Sequence, residues 1–460
     1  MSPRETFDAI IVGTGQAGPH LANRLTAAGM TVAIIERALT GGTCVNVGCT
    51  PTKAMVASAY AARLCARAAE YGVMLPGVPR VDMAAVHERV SAIVEDDRSG
   101  LERWLTEMER CTFIRGHARF ESQHEISVGG RLLSAEKVFL NVGGRALVPD
   151  MPGLADVPYL TNSDMVELRE LPPHLVIVGG SYIGLEFGQM FRRFGAEVTI
   201  VEKAGRLLVR EDEDVSDGIR AILEDEGIKV RVAAECIRLA PHPDGVAVGV
   251  ECESGEPEVI GTHLLMAVGR RPNTDDLGLE KAGVSSNSKG YIIVDDQLRT
   301  NVEGIWALGD CNGRGAFTHT AYDDFQIVAA NLLDGAARSV ADRVPAYALY
   351  IDPPLGCAGM TLAQARASGR KLRVGMRPMS RVARAVEKGE AQGLMRVIVD
   401  AETDEILGGT VWGPGGDEAV HEIVAAMAGR MPAAKLAQLM AIHPTVSELI
   451  PTIASELSPA

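Results

Sequence analysis

The feature that most constrains this chain is a strand–glycine turn–helix–strand–acid unit that occurs twice with one internal spacing. The run Phe7-Asp8-Ala9-Ile10-Ile11-Val12 is short, apolar and rich in branched side chains, the pattern of a parallel strand buried on both faces. It leads directly into Gly13-Thr14-Gly15-Gln16-Ala17-Gly18, a helical pattern over residues 19–28, and a second apolar strand ending at Glu36. The order returns in His174-Leu175-Val176-Ile177-Val178, then Gly179-Gly180-Ser181-Tyr182-Ile183-Gly184, a helical pattern, and a strand ending at Glu202. Glu36 stands 23 residues after Gly13, and Glu202 stands 23 residues after Gly179.

The unit has a physical reading. Gly13, Gly15 and Gly18 let the backbone approach a pyrophosphate, the helix N-terminus offers amide donors, and Glu36 accepts from ribose hydroxyls. Gly179, Gly180, Gly184 and Glu202 hold the corresponding places in the second unit, with Ser181 where the middle glycine would stand. Its side chain must point away from a bound phosphate, or the phosphate must shift. One such motif is weak evidence, because a glycine-rich turn need bind nothing. Its recurrence at the same interval argues for two dinucleotide cofactors, one fixed and one exchanging. FAD and NAD(P)H fit, since hydride transfer between them is easy chemistry.

At 460 residues the chain exceeds one ordinary core, and a size of roughly 100–200 residues per domain suggests about three. Aromatic residues make up only 4%, which argues against base-stacking surfaces, and the net charge of −15 repels polyphosphate. No nucleic-acid partner is expected. No run reaches the ~18 apolar residues that cross a bilayer, and the N-terminal residues show no apolar secretory core. Six of the eight cysteines (Cys65, Cys111, Cys236, Cys252, Cys311 and Cys357) are scattered singles, expected as small buried apolar groups in a reducing compartment. A cytoplasmic location follows as the default expectation.

The other two cysteines lie in Gly41-Gly42-Thr43-Cys44-Val45-Asn46-Val47-Gly48-Cys49-Thr50-Pro51-Thr52-Lys53. A helical pattern over residues 51–70 puts Cys49 at a helix N-terminus, where the dipole favours a thiolate. A metal site would need further Cys or His ligands nearby, and none is present; no metal is expected. A structural disulfide would close only a tiny loop. A redox-active dithiol is the reading adopted for Cys44 and Cys49.

These residues resemble the redox segment of the pyridine nucleotide–disulfide oxidoreductases, which include dihydrolipoyl dehydrogenase, glutathione reductase and mercuric reductase. Four further landmarks are similar: Gly269-Arg270-Arg271-Pro272-Asn273-Thr274; Thr300 to Asp310; Asp352-Pro353-Pro354; and His443-Pro444-Thr445-Val446-Ser447-Glu448. The resemblance implies an α/β fold with two Rossmann-like dinucleotide-binding domains, for FAD and NAD(P), plus a C-terminal α+β dimerisation domain. The expected division is 1–150 and 271–340 for FAD, 151–270 for NAD(P) and 341–460 for the interface. Within the last part a helical pattern is expected over residues 432–440.

The resemblance also implies roles. NAD(P)H would reduce the flavin, and the flavin would reduce a Cys44–Cys49 disulfide through Cys49. Cys44 would attack the substrate. His443, oriented by Glu448, would be its acid–base partner across a homodimer. Lys53 would lie at the flavin with Glu186 as its carboxylate partner. Gly42, Thr43, His117, Asp310, Thr318 and His319 join the FAD site, and Gly269 the NAD(P) site. Read alone, Lys53 and Glu186 are ordinary solvated charges, His443 a surface histidine and Asp310 a helix cap.

Glu202 disfavours a 2′-phosphate, so NADH is expected over NADPH, although Lys203, Arg206 and Arg210 lie close enough in sequence to rescue NADPH. The glycine–cysteine run is especially like mercuric reductase. Yet the C-terminus lacks a vicinal cysteine pair, and His443 stands where that enzyme has tyrosine. A disulfide substrate of dihydrolipoamide type, small or protein-borne, is therefore favoured. Reduction of a metal ion or quinone at the same site, or a non-catalytic flavin-bound redox sensor, are the alternatives.

Overall fold

The computed structural model describes residues 4–234, 237–250 and 257–460. Its first sheet has five parallel strands in the order Ile305–Ala307, Lys137–Leu140, Ala9–Val12, Val32–Glu36 and Cys111–Arg115. The central strand Ala9–Val12 is buried throughout, as its unbroken apolar run requires. A second parallel sheet takes Lys229–Arg231, Glu197–Val201, His174–Val178 and His263–Met266, and an antiparallel three-stranded sheet adjoins it. The chain crosses between these units where Gly144–Ala146 pairs with Arg270–Pro272. The C-terminal part is a six-stranded antiparallel sheet whose middle strands, Leu394–Asp400 and Ile406–Trp412, are wholly buried, with helix Gly416–Ala428 against it. The architecture is α/β with two Rossmann-like units and a C-terminal α+β unit. Among the described residues no helix is long and apolar enough to cross a membrane.

The two nucleotide units match in atomic detail. Gly13, at φ 106°, leaves no room for a side chain: a Cβ would lie 2.2 Å from the carbonyl oxygen of Asn141. At Gly179 it would lie 2.4 Å from that of Ala267. Gly18 and Gly184 press their helices onto the oxygens of Gly13 and Gly179, where a Cβ would sit 2.3 and 2.0 Å away. Each acid then clamps its own turn. Glu36 accepts from the amides of Thr14 (3.0 Å) and Ala38 (2.8 Å), and Glu202 from those of Gly180 (2.6 Å) and Ala204 (2.7 Å).

Three sequence expectations need correction. The helix expected over 432–440 shrinks to Ala433–Leu436, because Met440 (99% exposed) and Ile442 (79% exposed) have no core to pack on and a short helix without packing is marginal. The helix expected from residue 51 starts at Cys49 and ends at Ala66, followed by the short turn Ala68–Tyr71. Among the single cysteines Cys311 and Cys357 are buried, but Cys111 is half-buried and Cys65 is exposed on the outer face of that helix; Cys236 and Cys252 lie outside the described residues.

A buried polar seam joins the second nucleotide unit to the C-terminal sheet. Arg396 pairs with Asp212 (2.8 Å) and with Asp214, and Asp212 also accepts from the amides of Leu362 and Ala363. Arg193 bridges Glu226 (2.6 Å) and Asp352 (2.7 Å). Removing one member of such a pair strands a buried charge. Arg396→Ala is therefore expected to destabilise the protein by about 3 kcal/mol, measured by denaturant unfolding; a loss within error of zero would show that the seam contributes no cohesion.

Candidate active site

A cavity of about 850 Å³ opens at the C-terminal edge of the first sheet. That lies within the range of about 300–1,000 Å³ common for small-molecule sites. Gly13, Gly15, Glu36, Gly42, Thr43, Lys53, His117, Asp310, Thr318 and His319 all line it, as do Cys44, Cys49 and Glu186. Gly18 does not; it serves helix packing instead. The walls suit a dinucleotide. The first helix, Ala17–Ala27, has no side-chain cap at Gln16, so its positive end is presented to an anion, while the Gly18 amide donates to the Gly15 carbonyl (3.0 Å). At Gly15 a Cβ would crowd the Asn141 side-chain amide at 3.3 Å, so glycine lets the two approach closely. Burial pushes the Asp310 carboxyl up, opposed by the Arg270 guanidinium at 3.5 Å. Such a group calls for hydroxyl donors, and the ribityl chain of FAD carries them.

Sequence reading missed residues that hold this cavity together. Asn141 donates from Nδ2 to the Gly15 carbonyl (3.0 Å) while its own carbonyl abuts Gly13. Asp324 accepts from the Gly309 amide (2.8 Å) and Asn312 Nδ2 (3.0 Å) and pairs with Arg343, fixing the turn that carries Asp310. Their only sequence signal is position: one follows the end of a strand, the other lies one turn into a helix.

Cys44 sits in the short helix Gly42–Val47, and Cys49 is the first residue of helix Cys49–Ala66. Both are free thiols. The hydroxyl of Thr318 lies between them, 3.1 Å from Cys49 Sγ and 3.2 Å from Cys44 Sγ. The environment separates their proton affinities. A hydrogen bond from Cys44, with Thr318 and the Lys53 charge, lowers Cys49 to about 6 against the opposing effect of burial. Donating that bond, being buried and facing the neighbouring charge push Cys44 far upward. Both directions favour the negative charge of the reduced pair at Cys49 over Cys44. One turn along, Lys53 Nζ meets Glu186 Oε2 at 2.8 Å and lies 4.5 Å over the Tyr350 ring, whose backbone amide donates to Glu186 Oε1 (3.0 Å).

The second glycine turn gathers Gly179, Gly180, Gly184 and Glu202, and Ser181 is exposed with no capping bond. Gly269, at φ 133°, lies apart in the crossing segment, where its carbonyl accepts from the Leu147 amide. His117 is bonded through Nε2 to the Asp276 carbonyl (3.0 Å), and His319 through Nε2 to that of Ala346 (2.7 Å). His443 Nδ1 meets Glu448 Oε2 at 2.8 Å, but neither lines the cavity, and the His443 side chain is 76% exposed.

Known proteins share this construction. The family described as pyridine nucleotide-disulphide oxidoreductase matches residues 7–324, and the dimerisation domain of the same family matches residues 345–454. The chain is 36% identical to the probable pyridine nucleotide-disulfide oxidoreductase RclA of Escherichia coli, over 96% of this chain and 97% of that protein. It is 34% identical to a dihydrolipoyl dehydrogenase of Thermus scotoductus, over 96% of each. It is 30% identical to a mercuric reductase of Bacillus cereus, over 96% of this chain and 70% of that protein. The solved structure of the HOCl-induced flavoprotein disulfide reductase RclA from Escherichia coli superposes with a TM-score of 0.88 at 35% identity, covering 97% of this chain and 99% of that one; its Cu(II) complex gives 0.89.

The unequal sulfurs are directly measurable. Thiolate ultraviolet absorbance of the reduced protein should titrate with a midpoint of about 6. Cys49→Ala should abolish that transition. Cys44→Ala should raise its midpoint, because the donor that holds the proton affinity of Cys49 down is gone. A midpoint unmoved by Cys44→Ala would show that the two sulfurs do not interact.

Proposed function

Because the chain belongs to the pyridine nucleotide–disulphide oxidoreductases, enzymes that use FAD and NAD(P)H to act on sulfur groups, we propose that it is an NADH-linked reductase of small or protein-borne disulfides. The observation that carries this reading is two free thiols, Cys44 and Cys49, on either side of the Thr318 hydroxyl in the wall of the dinucleotide cavity, with the charge favoured at Cys49. Bound flavin supplies the two-electron relay between nicotinamide and this sulfur pair.

The sulfur chemistry follows from the proton positions. Cys44 must lose a proton before it can attack a disulfide sulfur. His443 is the base in this reading: Glu448 holds Nδ1, leaving Nε2 to take the proton and return it to the departing thiol. The exposure of His443 beside Met440 and Ile442 suits presentation to a second copy of the chain through the dimerisation domain. The mixed disulfide at Cys44 is then resolved by the Cys49 thiolate, which closes the Cys44–Cys49 bond and frees the second substrate thiol. Lys53, paired with Glu186, keeps a cation beside that anionic sulfur.

The cofactor preference rests on the second acid. Glu202 occupies its turn, and Arg206 spends its guanidinium on the carbonyls of Val209 (3.3 Å) and Glu211 (3.1 Å), away from a 2′-phosphate. Lys203 and Arg210 remain as exposed charges.

A second reading is reduction of a metal-ion substrate at the same sulfurs. It is favoured by the Cu(II) complex of the RclA structure, since thiolates suit soft ions. Among the described residues no group of three or more His, Cys, Asp or Glu forms a metal site, so such an ion would have to engage the dithiol itself.

Steady-state turnover with lipoamide, oxidised glutathione, Cu(II) and mercuric ion separates the two readings: disulfide turnover supports the first, and turnover of metal ions alone overturns it. Cys44→Ser should abolish disulfide turnover yet leave reduction of the holoenzyme by NADH. His443→Ala should slow disulfide turnover by ~10²-fold or more. An unchanged rate would remove His443 from the mechanism.

A further inference from the structure

Glu211 is only 3% exposed, and among the described residues its carboxylate forms no ion pair. Three neutral donors hold it: the hydroxyl of Tyr182 at 2.7 Å, that of Tyr347 at 3.0 and 3.1 Å, and the Cys357 thiol at 3.6 Å. A buried carboxylate without a cation is costly, so its persistence calls for a reason beyond cohesion. The two tyrosines reach the candidate active site as neighbours, with ring centroids 6.0 Å apart. Tyr182 is the first residue of helix Tyr182–Phe194, lines the cavity, and lies one turn before Glu186, the partner of Lys53. Tyr347 stacks on Phe317, with ring centroids 5.9 Å apart and planes within 7°. Phe317 immediately precedes Thr318, whose hydroxyl stands between the two sulfurs, and stacks in turn on His319 at 5.3 Å.

We propose that Glu211 is a positioning residue that sets both halves of the site from behind: through Tyr347 and Phe317 it fixes the Thr318 hydroxyl at the sulfur pair, and through Tyr182 it fixes the cavity wall at the start of the second nucleotide helix. The inference rests on the redox role given above to Cys44 and Cys49. The two arms meet in one aromatic cluster: the Tyr182 ring stands edge-on to Tyr347 at 6.0 Å and to Phe317 at 6.4 Å. Both phenols donate to the same carboxylate, and because Glu211 belongs to a different unit from Tyr347, the cluster also spans the seam between the second nucleotide unit and the C-terminal sheet.

Glu211→Gln keeps the volume but replaces one acceptor oxygen with a donor, so it cannot accept from both phenols as before. The test uses the full-length holoenzyme, with thiolate absorbance of the reduced protein and the KM for NADH as two readouts. Tyr347→Phe should move the thiolate midpoint up by about one pH unit, as expected for the loss of one hydrogen-bonding contact to the anion. Tyr182→Phe should raise the KM for NADH by about 3- to 10-fold, the effect of one lost hydrogen bond. Glu211→Gln should do both, and Glu211→Asp should recover part of each. If Tyr347→Phe leaves the midpoint in place, or if Tyr182→Phe leaves the KM for NADH in place, the proposal is overturned; this decision does not require Glu211→Gln to fold. Loss of disulfide turnover is not a readout. Failure of the disulfide assignment would leave the titration and the KM to be read as before, so the two failures are distinguishable.

Discussion

The structure depends first on two places where a backbone carbonyl comes so close to a glycine that no side chain could stand between them. At Gly13 and Gly179 this crowding seats a strand end directly against the start of a helix, and the acid at the end of the next strand ties the turn shut through two amides. The clamp is the same in both units, down to the residue one past the glycine and the residue two past the acid. It aims the uncapped helix start at whatever lies in the turn. Two such turns in one chain are what make an exchange between two dinucleotides a structural possibility at all.

The sulfur chemistry is built on the edge of this frame. A helix that starts at Cys49 presents its dipole to that sulfur, the short preceding helix brings Cys44 alongside, and a segment from the far end of the chain delivers Thr318. The mutual contact of the two sulfurs favours the negative charge at Cys49 over Cys44. The His443–Glu448 pair stands outside the cavity that holds these sulfurs.

The parts of the site legible from sequence were those whose chemistry is local. The glycine turns announce themselves because spacing and residue type suffice, and the Cys44–Cys49 run because a helix start follows it. The Lys53–Glu186 contact was legible only through resemblance, since 133 residues separate them. Asn141, Asp324 and Glu211 were not legible, because each is an ordinary polar residue whose partners arrive from other strands and helices. The apolar pattern at residues 432–440 misled for the converse reason. Periodicity reports that a face is apolar, but not whether the same chain covers it.

Thr318 carries a single hydroxyl proton yet faces two sulfurs. Whichever sulfur holds the negative charge draws that proton toward itself. When charge passes from position 49 to position 44, the hydroxyl can follow by turning about one side-chain bond, with the backbone at rest. A turn of that one bond is all that separates donation to one sulfur from donation to the other, because the hydroxyl oxygen lies 3.1 Å from one and 3.2 Å from the other.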